Sequence, residues 1–403
     1  MKFTHKVFTL LLLLTCHLAP AQISQDNATV KGNNQFAIEL YKKLAQGKST
    51  NFFVSPYSVS SALAMTYAGA KGATAREMSR VLHFTPTQLH QDNKLLADHF
   101  DKINRKGLKL KVANSLWAEK TQKFLPAYLT LNNKYYKAKV SNLDFKSKPE
   151  RSRLIINKWV EGKTNKKIKN LIPKGLINQT TRLVLTNAIY FKGDWKYIFK
   201  KSQTKKMLFI AGNKRFPGTK FMRMQRRFRY TENKQLQAIE LPYKDDKMSL
   251  LVLLPKNKGG IQEVEKQLSA QKLAQLMDDS FYTKVKLSLP KFKMTISSKL
   301  KAPLKQLGMK TAFSNQADFT GMTKHSELKI SEVVHKAFVE VNEKGTEAAA
   351  ATAVIMRTKS ASVRRSVPPK IFKADHPFIF IIKDNQTGSI LFIGKLENPQ
   401  AAS

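Results

Sequence analysis

Asn342-Glu343-Lys344-Gly345-Thr346-Glu347-Ala348-Ala349-Ala350-Ala351-Thr352-Ala353-Val354-Ile355-Met356-Arg357-Thr358-Lys359-Ser360 separates a β-forming run that ends near Val341 from a break at Val367-Pro368-Pro369. By propensity the stretch is an Ala-rich helix with a frayed basic end, since Ala is the strongest helix former. Against that, Gly345 followed by Thr346 suits a hinge, and the Lys, Arg, Ser and Thr tail lacks helical apolar spacing. At period two the same residues read as a strand held in reserve. Thr346, Ala348, Ala350, Thr352 and Val354 then share one face, all small or β-branched and able to enter a sheet interior without overpacking. Glu347, Ala349, Ala351 and Ala353 face outward. The fourteen residues from Thr346 to Lys359 extend to roughly 46 Å, long enough to cross a sheet.

Upstream, the first segments carry helical signals. Phe36, Leu40, Tyr41 and Leu44 share a face, and Ser55-Pro56 supplies an N-cap and a first-turn proline ahead of Val59, Leu63 and Tyr67. Further helices are predicted near 74–82, 87–104, 124–136, 149–162 and 262–277. Strand patterns occupy 108–117, 182–191, 248–254, 285–289, 330–341, 377–382 and 389–393. Helices collect first and strands later without steady β-α-β alternation, which predicts an α+β fold with antiparallel sheets. No linker, repeat or low-complexity block divides 22–403, so the chain is read as one large domain.

The N-terminus opens with Lys2 and Lys6, an apolar run over 7–14, and Ala19-Pro20-Ala21, the pattern of a secretory signal over 1–21 that leaves Gln22 as the new terminus. The apolar run is too short to span a bilayer, and nothing later approaches about eighteen consecutive apolar residues. The only cysteine, Cys16, falls inside that signal, so the mature chain is expected to carry no thiol chemistry and no disulfide. Lipid attachment at Cys16 is disfavoured by Thr15 before it and by the better cleavage site at Ala21.

Lys and Arg total 71 against 28 Asp and Glu, a formal charge of +43 that falls by two when Lys2 and Lys6 leave with the signal. A field of that sign draws polyanions such as glycosaminoglycans or nucleic acid, and it fades with salt. The basic residues are densest over 163–174 and 196–229. In the second stretch Lys196, Lys200, Lys201, Arg223, Arg226, Arg227 and Arg229 are the candidate polyanion contacts, with a solvated surface as the alternative. No GxSxG, HExxH or phosphate-cradling motif is present, and the eight histidines show no metal-ligand spacing. His325 and His335 are therefore read as structural, and neither an enzyme nor a bound cofactor is expected.

Glu343-Lys344-Gly345-Thr346-Glu347, followed by its Ala/Thr run, resembles the hinge of inhibitory serpins. Asn51-Phe52-Phe53-Val54-Ser55-Pro56-Tyr57-Ser58 resembles that family's shutter. Thr186-Asn187-Ala188-Ile189-Tyr190-Phe191-Lys192-Gly193-Asp194-Trp195 resembles its central strand and breach. Val334-His335-Lys336-Ala337, Leu289-Pro290-Lys291-Phe292 and Asp375-His376-Pro377-Phe378 agree, so the resemblance covers about 34–399.

The resemblance implies three β-sheets, about nine helices and an exposed reactive-centre loop over about 343–368, offered as bait to a protease. Attack would form an acyl-enzyme, and a race would follow between hydrolysis and insertion of the cleaved loop into the main sheet. The hinge would comprise Glu343, Lys344, Gly345, Thr346, Glu347, Ala348, Ala349, Ala350, Ala351 and Thr352. Ser55, Ser58, Asn187 and His335 would form the shutter, with Trp195 and a Glu343–Lys291 ion pair in the breach. Counting the family's usual loop length from Glu343 lands on Lys359, followed by Ser360. Arg365-Ser366 is the second choice, because the far side of the loop is long, and Arg357 is the third. A basic scissile residue implies trypsin-like serine proteases as targets of a secreted, monomeric inhibitor, which a heparin-like polyanion could accelerate by bridging inhibitor and protease. The alternatives are a non-inhibitory serpin acting as a carrier, chaperone or storage protein, and a protein whose main role is polyanion binding. Asn27, Asn178 and Asn385 begin Asn-x-Thr sequons that carry glycans where the source glycosylates.

Overall fold

The computed structural model describes residues 23–104, 107–324, 328–346 and 367–401. Among these residues the helices are α1 (Ala28–Ala45), α2 (Pro56–Tyr67), α3 (Gly72–Leu82), α4 (Leu89–Ile103), α5 (Pro126–Tyr136), α6 (Pro149–Lys163), α7 (Ile261–Gln267), α8 (Ala270–Asp278) and α9 (Lys301–Gln306). The strands of the first half are β1 (Phe52–Val54), β2 (Leu108–Glu119), β3 (Lys139–Leu143), β4 (Leu183–Asp194), β5 (Lys205–Ala211), β6 (Lys214–Glu232) and β7 (Leu236–Pro242). They are followed by β8 (Met248–Pro255), β9 (Phe281–Pro290), β10 (Phe292–Lys299), β11 (Glu332–Asn342), β12 (Gly345–Thr346), β13 (Lys370–Lys373), β14 (Phe378–Asp384) and β15 (Ile390–Leu396).

Ser55 caps α2 as its sequence predicts: its Oγ accepts from the Ser58 N–H, and Pro56 fills the first turn, where no N–H is needed. The helix predicted over 262–277 is instead two helices. Leu268 is extended, and Ser269 restarts the helix as α8 by accepting from the Lys272 N–H. Serine at that point satisfies an orphan donor that an unbroken helix would not have, so its local bond competes with helix continuation.

A six-stranded sheet runs β10-β11-β12-β4-β2-β3, with β11 also pairing β4 directly. A nine-stranded set runs β1-β15-β14-β8-β7-β6-β9-β13, with β5 on β6. The family's second and third sheets are thus joined, because β6 pairs β7 through Arg229–Glu232 while pairing β9 over Phe221–Tyr230.

The inner face of the six-stranded sheet packs on the nine-stranded set. Leu110, Ile189, Phe191, Met294, Val339 and Val341 meet Phe53, Leu250, Val252, Phe378 and Phe380 there. On the outer face, Ile156 and Val160 of α6, with Ile168 and Ile172 beyond it, cover Trp117, Val184, Val334 and Phe338. Strand alternation therefore divides each strand of this sheet cleanly. Odd residues of β4 and β11 point inward, even ones toward the α6 cover.

Candidate functional site

β11 and β4 are parallel neighbours from Glu332↔Val184 to Phe338↔Tyr190, and above that point they separate. The gap is occupied by β12. Thr346 pairs with Val341 on one side and Gly193 on the other, and Gly345 pairs with Asn342 and Asp194, antiparallel to both neighbours. The first two residues after the Glu343-Lys344 turn are thus already strand residues of the sheet, whereas the sequence assigned Gly345 only backbone freedom. Glycine is required here by closeness: a Cβ on Gly345 would lie 2.0 Å from the Gly193 carbonyl oxygen. Thr346 is buried, and its hydroxyl meets the Tyr243 hydroxyl at 2.7 Å.

The turn is anchored from β4 and the residues after it. The Trp195 N–H donates to the Lys344 carbonyl at 2.8 Å and its indole N–H to the Asn342 carbonyl at 2.9 Å, while its ring stacks on Tyr243 with centroids 4.7 Å apart. The Glu343 carbonyl accepts from the Phe199 N–H at 2.9 Å. The Glu343 carboxylate pairs with Lys291 Nζ at 2.7 Å and accepts from Thr204 Oγ1 at 3.0 Å. Burial works to raise this carboxyl, but the Lys291 and Thr204 hydrogen bonds outweigh it and hold it below its ordinary range. The Glu343–Lys291 pair that the resemblance implied is therefore formed.

Lower on the seam, His335, Asn187 and Asn114 lie directly opposite one another on β11, β4 and β2, all facing inward. The Ser55 N–H donates to His335 Nε2 at 3.1 Å, so that nitrogen carries the lone pair and Nδ1 carries the proton, which it donates to Asn187 Oδ1. Asn187 Nδ2 donates onward to Ser58 Oγ and Asn114 Oδ1, and Ser55 Oγ donates to the Leu391 carbonyl at 2.6 Å. Complete burial pushes the imidazole down to about 3, so it is neutral near pH 7.

The structure brings together Ser55, Ser58, Asn187 and His335 at one centre, and Trp195, Lys291, Glu343, Lys344, Gly345 and Thr346 at another. Asn114, Thr204 and Tyr243 belong to these centres and were not read from the sequence. Asn114 carried a signal, being the polar residue in the inward series Leu108, Leu110, Asn114, Leu116 of β2. Glu347, Ala348, Ala349, Ala350, Ala351 and Thr352 of the hinge lie outside the described residues, as do Arg357, Lys359, Ser360, Arg365 and Ser366 of the bait.

The seven candidate polyanion contacts do not share one place. Lys196 and Arg226 converge on the Tyr197 ring, with Lys196 also paired to Asp246. Arg223, Arg227 and Arg229 take the opposite parity on β6, where Arg229 donates to the Met277 carbonyl and Ser280 Oγ. Lys200 and Lys201 lie at a separate short turn.

A family model described as Serpin (serine protease inhibitor) matches residues 31–399. Serpin B4 of Homo sapiens is 40% identical over 393 residues, spanning 93% of this chain and 100% of that protein. Leukocyte elastase inhibitor of Homo sapiens is 40% identical over 381 residues, spanning 91% and 98%. The crystal structure of Serpin48 from the insect Tenebrio molitor aligns with a TM-score of 0.82 at 31% identity, covering 93% of this chain and 99% of that one. With the family model and these relatives each covering nine tenths or more of its length, this chain belongs to the serpin family, described as serine protease inhibitors, and is not an enzyme.

Proposed function

We propose that the protein is a secreted, single-use inhibitor of trypsin-like serine proteases, trapping its target by inserting the cleaved 343–368 loop between β11 and β4. One observation carries this reading: Gly345 and Thr346 already pair with both neighbours in the gap. Continuing their register would bring Ala348, Ala350, Thr352 and Val354 to the inward face and Thr352 opposite both His335 and Asn187. The target's serine would attack the Lys359 carbonyl, forming an ester and releasing the Ser360 amine. Insertion would then replace one parallel pairing by two antiparallel ones, each backbone hydrogen bond contributing about 1 kcal/mol net. A heparin-like polyanion that speeds the encounter is consistent with the positive field.

The direct test mixes the exported protein with trypsin and resolves the products on denaturing gels. The reading expects a stable covalent complex, Gln22 as the protein's own first residue and Ser360 at the start of the released C-terminal peptide. Cleavage with no complex would remove trypsin-like inhibition and favour the carrier reading; Ser366 at the released terminus would move the bait to Arg365.

Substitution at the hinge separates cleavage from trapping. Thr346→Arg would bury an unpaired guanidinium against Tyr243, a cost of several kcal/mol. The expected outcome is cleavage at an unchanged rate with complex yield lowered by about tenfold or more. Undiminished yield would mean that Thr346 does not have to be buried for trapping.

Insertion also requires the His335–Asn187 bond to open, and a hydroxyl on Thr352 could accept from His335 and donate to Asn187 in its place. Thr352→Val keeps the shape and removes that replacement. The cleaved form should lose roughly 1–3 kcal/mol in denaturant unfolding, while the uncleaved form is unaffected. Equal stability of the two cleaved proteins would place Thr352 elsewhere.

The same histidine sets a pH dependence for the uncleaved protein. Its folded pKa lies near 3, below the unfolded value near 6.5, so its neutral form stabilises the fold fully above about pH 6.5. As pH falls, the unfolded chain takes the proton first. Urea midpoints should therefore decline between about pH 6 and pH 3, with this group contributing up to about 1.4 kcal/mol of stability per pH unit. In His335→Gln that component should vanish.

A further inference from the structure

The outer face of the six-stranded sheet holds a groove of about 490 Å³ that the inhibitor reading leaves unused. Five lysines surround it. Lys166, Lys167 and Lys169 come from the stretch that follows α6, Lys293 from β10 and Lys336 from β11. Thr295 and Ser297 add hydroxyls from β10, and the Phe338 ring forms an apolar wall, with the Lys167 and Lys293 ammoniums each 5.8 Å from its centroid. Among the described residues no carboxylate lines the groove. Glu340, opposite Lys293 in the register, lines an adjoining groove beside the hinge turn.

Collecting five ammoniums around one concavity is costly without an anion, and two features show that the backbone enforces it. Asn165 and Lys166 both adopt left-handed conformations, with φ of 51° and 59°, a strain of about 1 kcal/mol or more for each non-glycine residue. This turn sends the chain back across the sheet, with Ile168 buried between exposed Lys167 and Lys169. Lys336 Nζ then donates to the Lys169 carbonyl at 2.8 Å, tying the stretch to β11, and partial burial lowers the pKa of that ammonium. Lys166, Lys169 and Lys293 remain exposed, with their charges available to a ligand.

We propose that this groove binds a compact polyvalent oxyanion, with closely spaced phosphate or sulfate groups held by the five lysines and by the hydroxyls of Thr295 and Ser297. Several fixed ammoniums match several linked oxyanions at short spacing, whereas a single monovalent ion would leave most of the repulsion in place. Phosphate and sulfate groups share this chemistry; they would reach the site as a free oligophosphate or as a sulfated oligosaccharide.

Calorimetric titration of the full chain at about 0.15 M salt tests the assignment, since surface pairs are substantially screened there. Tripolyphosphate and a heparin-derived tetrasaccharide are the two probes. The comparison sets the wild type against Lys166→Ala/Lys169→Ala/Lys293→Ala and against Lys272→Ala/Lys284→Ala/Lys286→Ala, which removes the same charge from exposed positions elsewhere. Saturable binding is expected for at least one probe, weakened by about a hundredfold in the groove variant and by less than about threefold in the other. The tighter probe identifies the source of the oxyanion. Equal weakening in both variants, or no saturation by either probe, would overturn the site. Because no protease is present, the result is independent of whether the protein inhibits one.

Discussion

The hydrogen bond from His335 to Asn187 joins two parallel strands, β11 and β4, at the seam into which the proposed mechanism would insert another strand. Parallel pairing is slightly weaker per residue than antiparallel pairing, and this seam needs more than its backbone ladder to stay shut. The addition comes from side chains. Ser55 fixes the imidazole tautomer from α2's cap, so the residue that starts a helix also orients the residue that closes the sheet. Asn187 passes the connection on to Ser58 and Asn114, spreading it across three strands and a helix. A buried network of this kind stabilises only while every member is satisfied. Opening the seam therefore demands a replacement partner, which a threonine can be and an alanine cannot.

The upper end of the seam works differently. There the gap is already open and filled by two residues, with Glu343 tied down by Lys291, Thr204 and the Phe199 N–H. Trp195 braces the turn through two hydrogen bonds to its backbone. On the proposed mechanism these polar contacts would hold the hinge at the start of insertion, and the shutter below would resist its continuation. Under that mechanism a further strand would extend a pairing already begun and would need no separate nucleation.

Much of this was legible in the sequence where the signal is local. Ser55-Pro56 declares a helix start through its own chemistry, and Met248–Pro255 declares a buried strand by being apolar at every position but Ser249. Elements whose outer face is heavily charged were harder to see. Lys214–Glu232 reads as a basic stretch because Arg223, Arg227 and Arg229 alternate with the inward series that includes Met222, Phe228 and Tyr230. The pairing of Gly345 and Thr346 joins residues about 150 positions apart in the chain, and no local pattern encodes such a contact. The lysine groove has the same character: 166–169 is visibly basic, but Lys293 and Lys336 reach it only through strand register.

Register also bears on which bond the loop offers. Continued from Thr346 opposite Gly193, an inserted strand would reach the far end of β4 when Met356 stands opposite Leu183. Lys359 lies just beyond that point, so a protease attached there would be carried the length of the sheet with little strand left unpaired. Arg357 would hold it closer to the sheet end, where a bulky partner meets the surrounding chain. Arg365 would leave a longer tether with no edge to pair, at a cost in backbone order that pairing does not offset. On the other side, β13 does not begin until Lys370, so cutting at Lys359 leaves a long segment before the next anchored residue. That slack adds little conformational cost, because loop closure grows only logarithmically with length. The constraint on the inserted side is the stiffer of the two, and it favours Lys359.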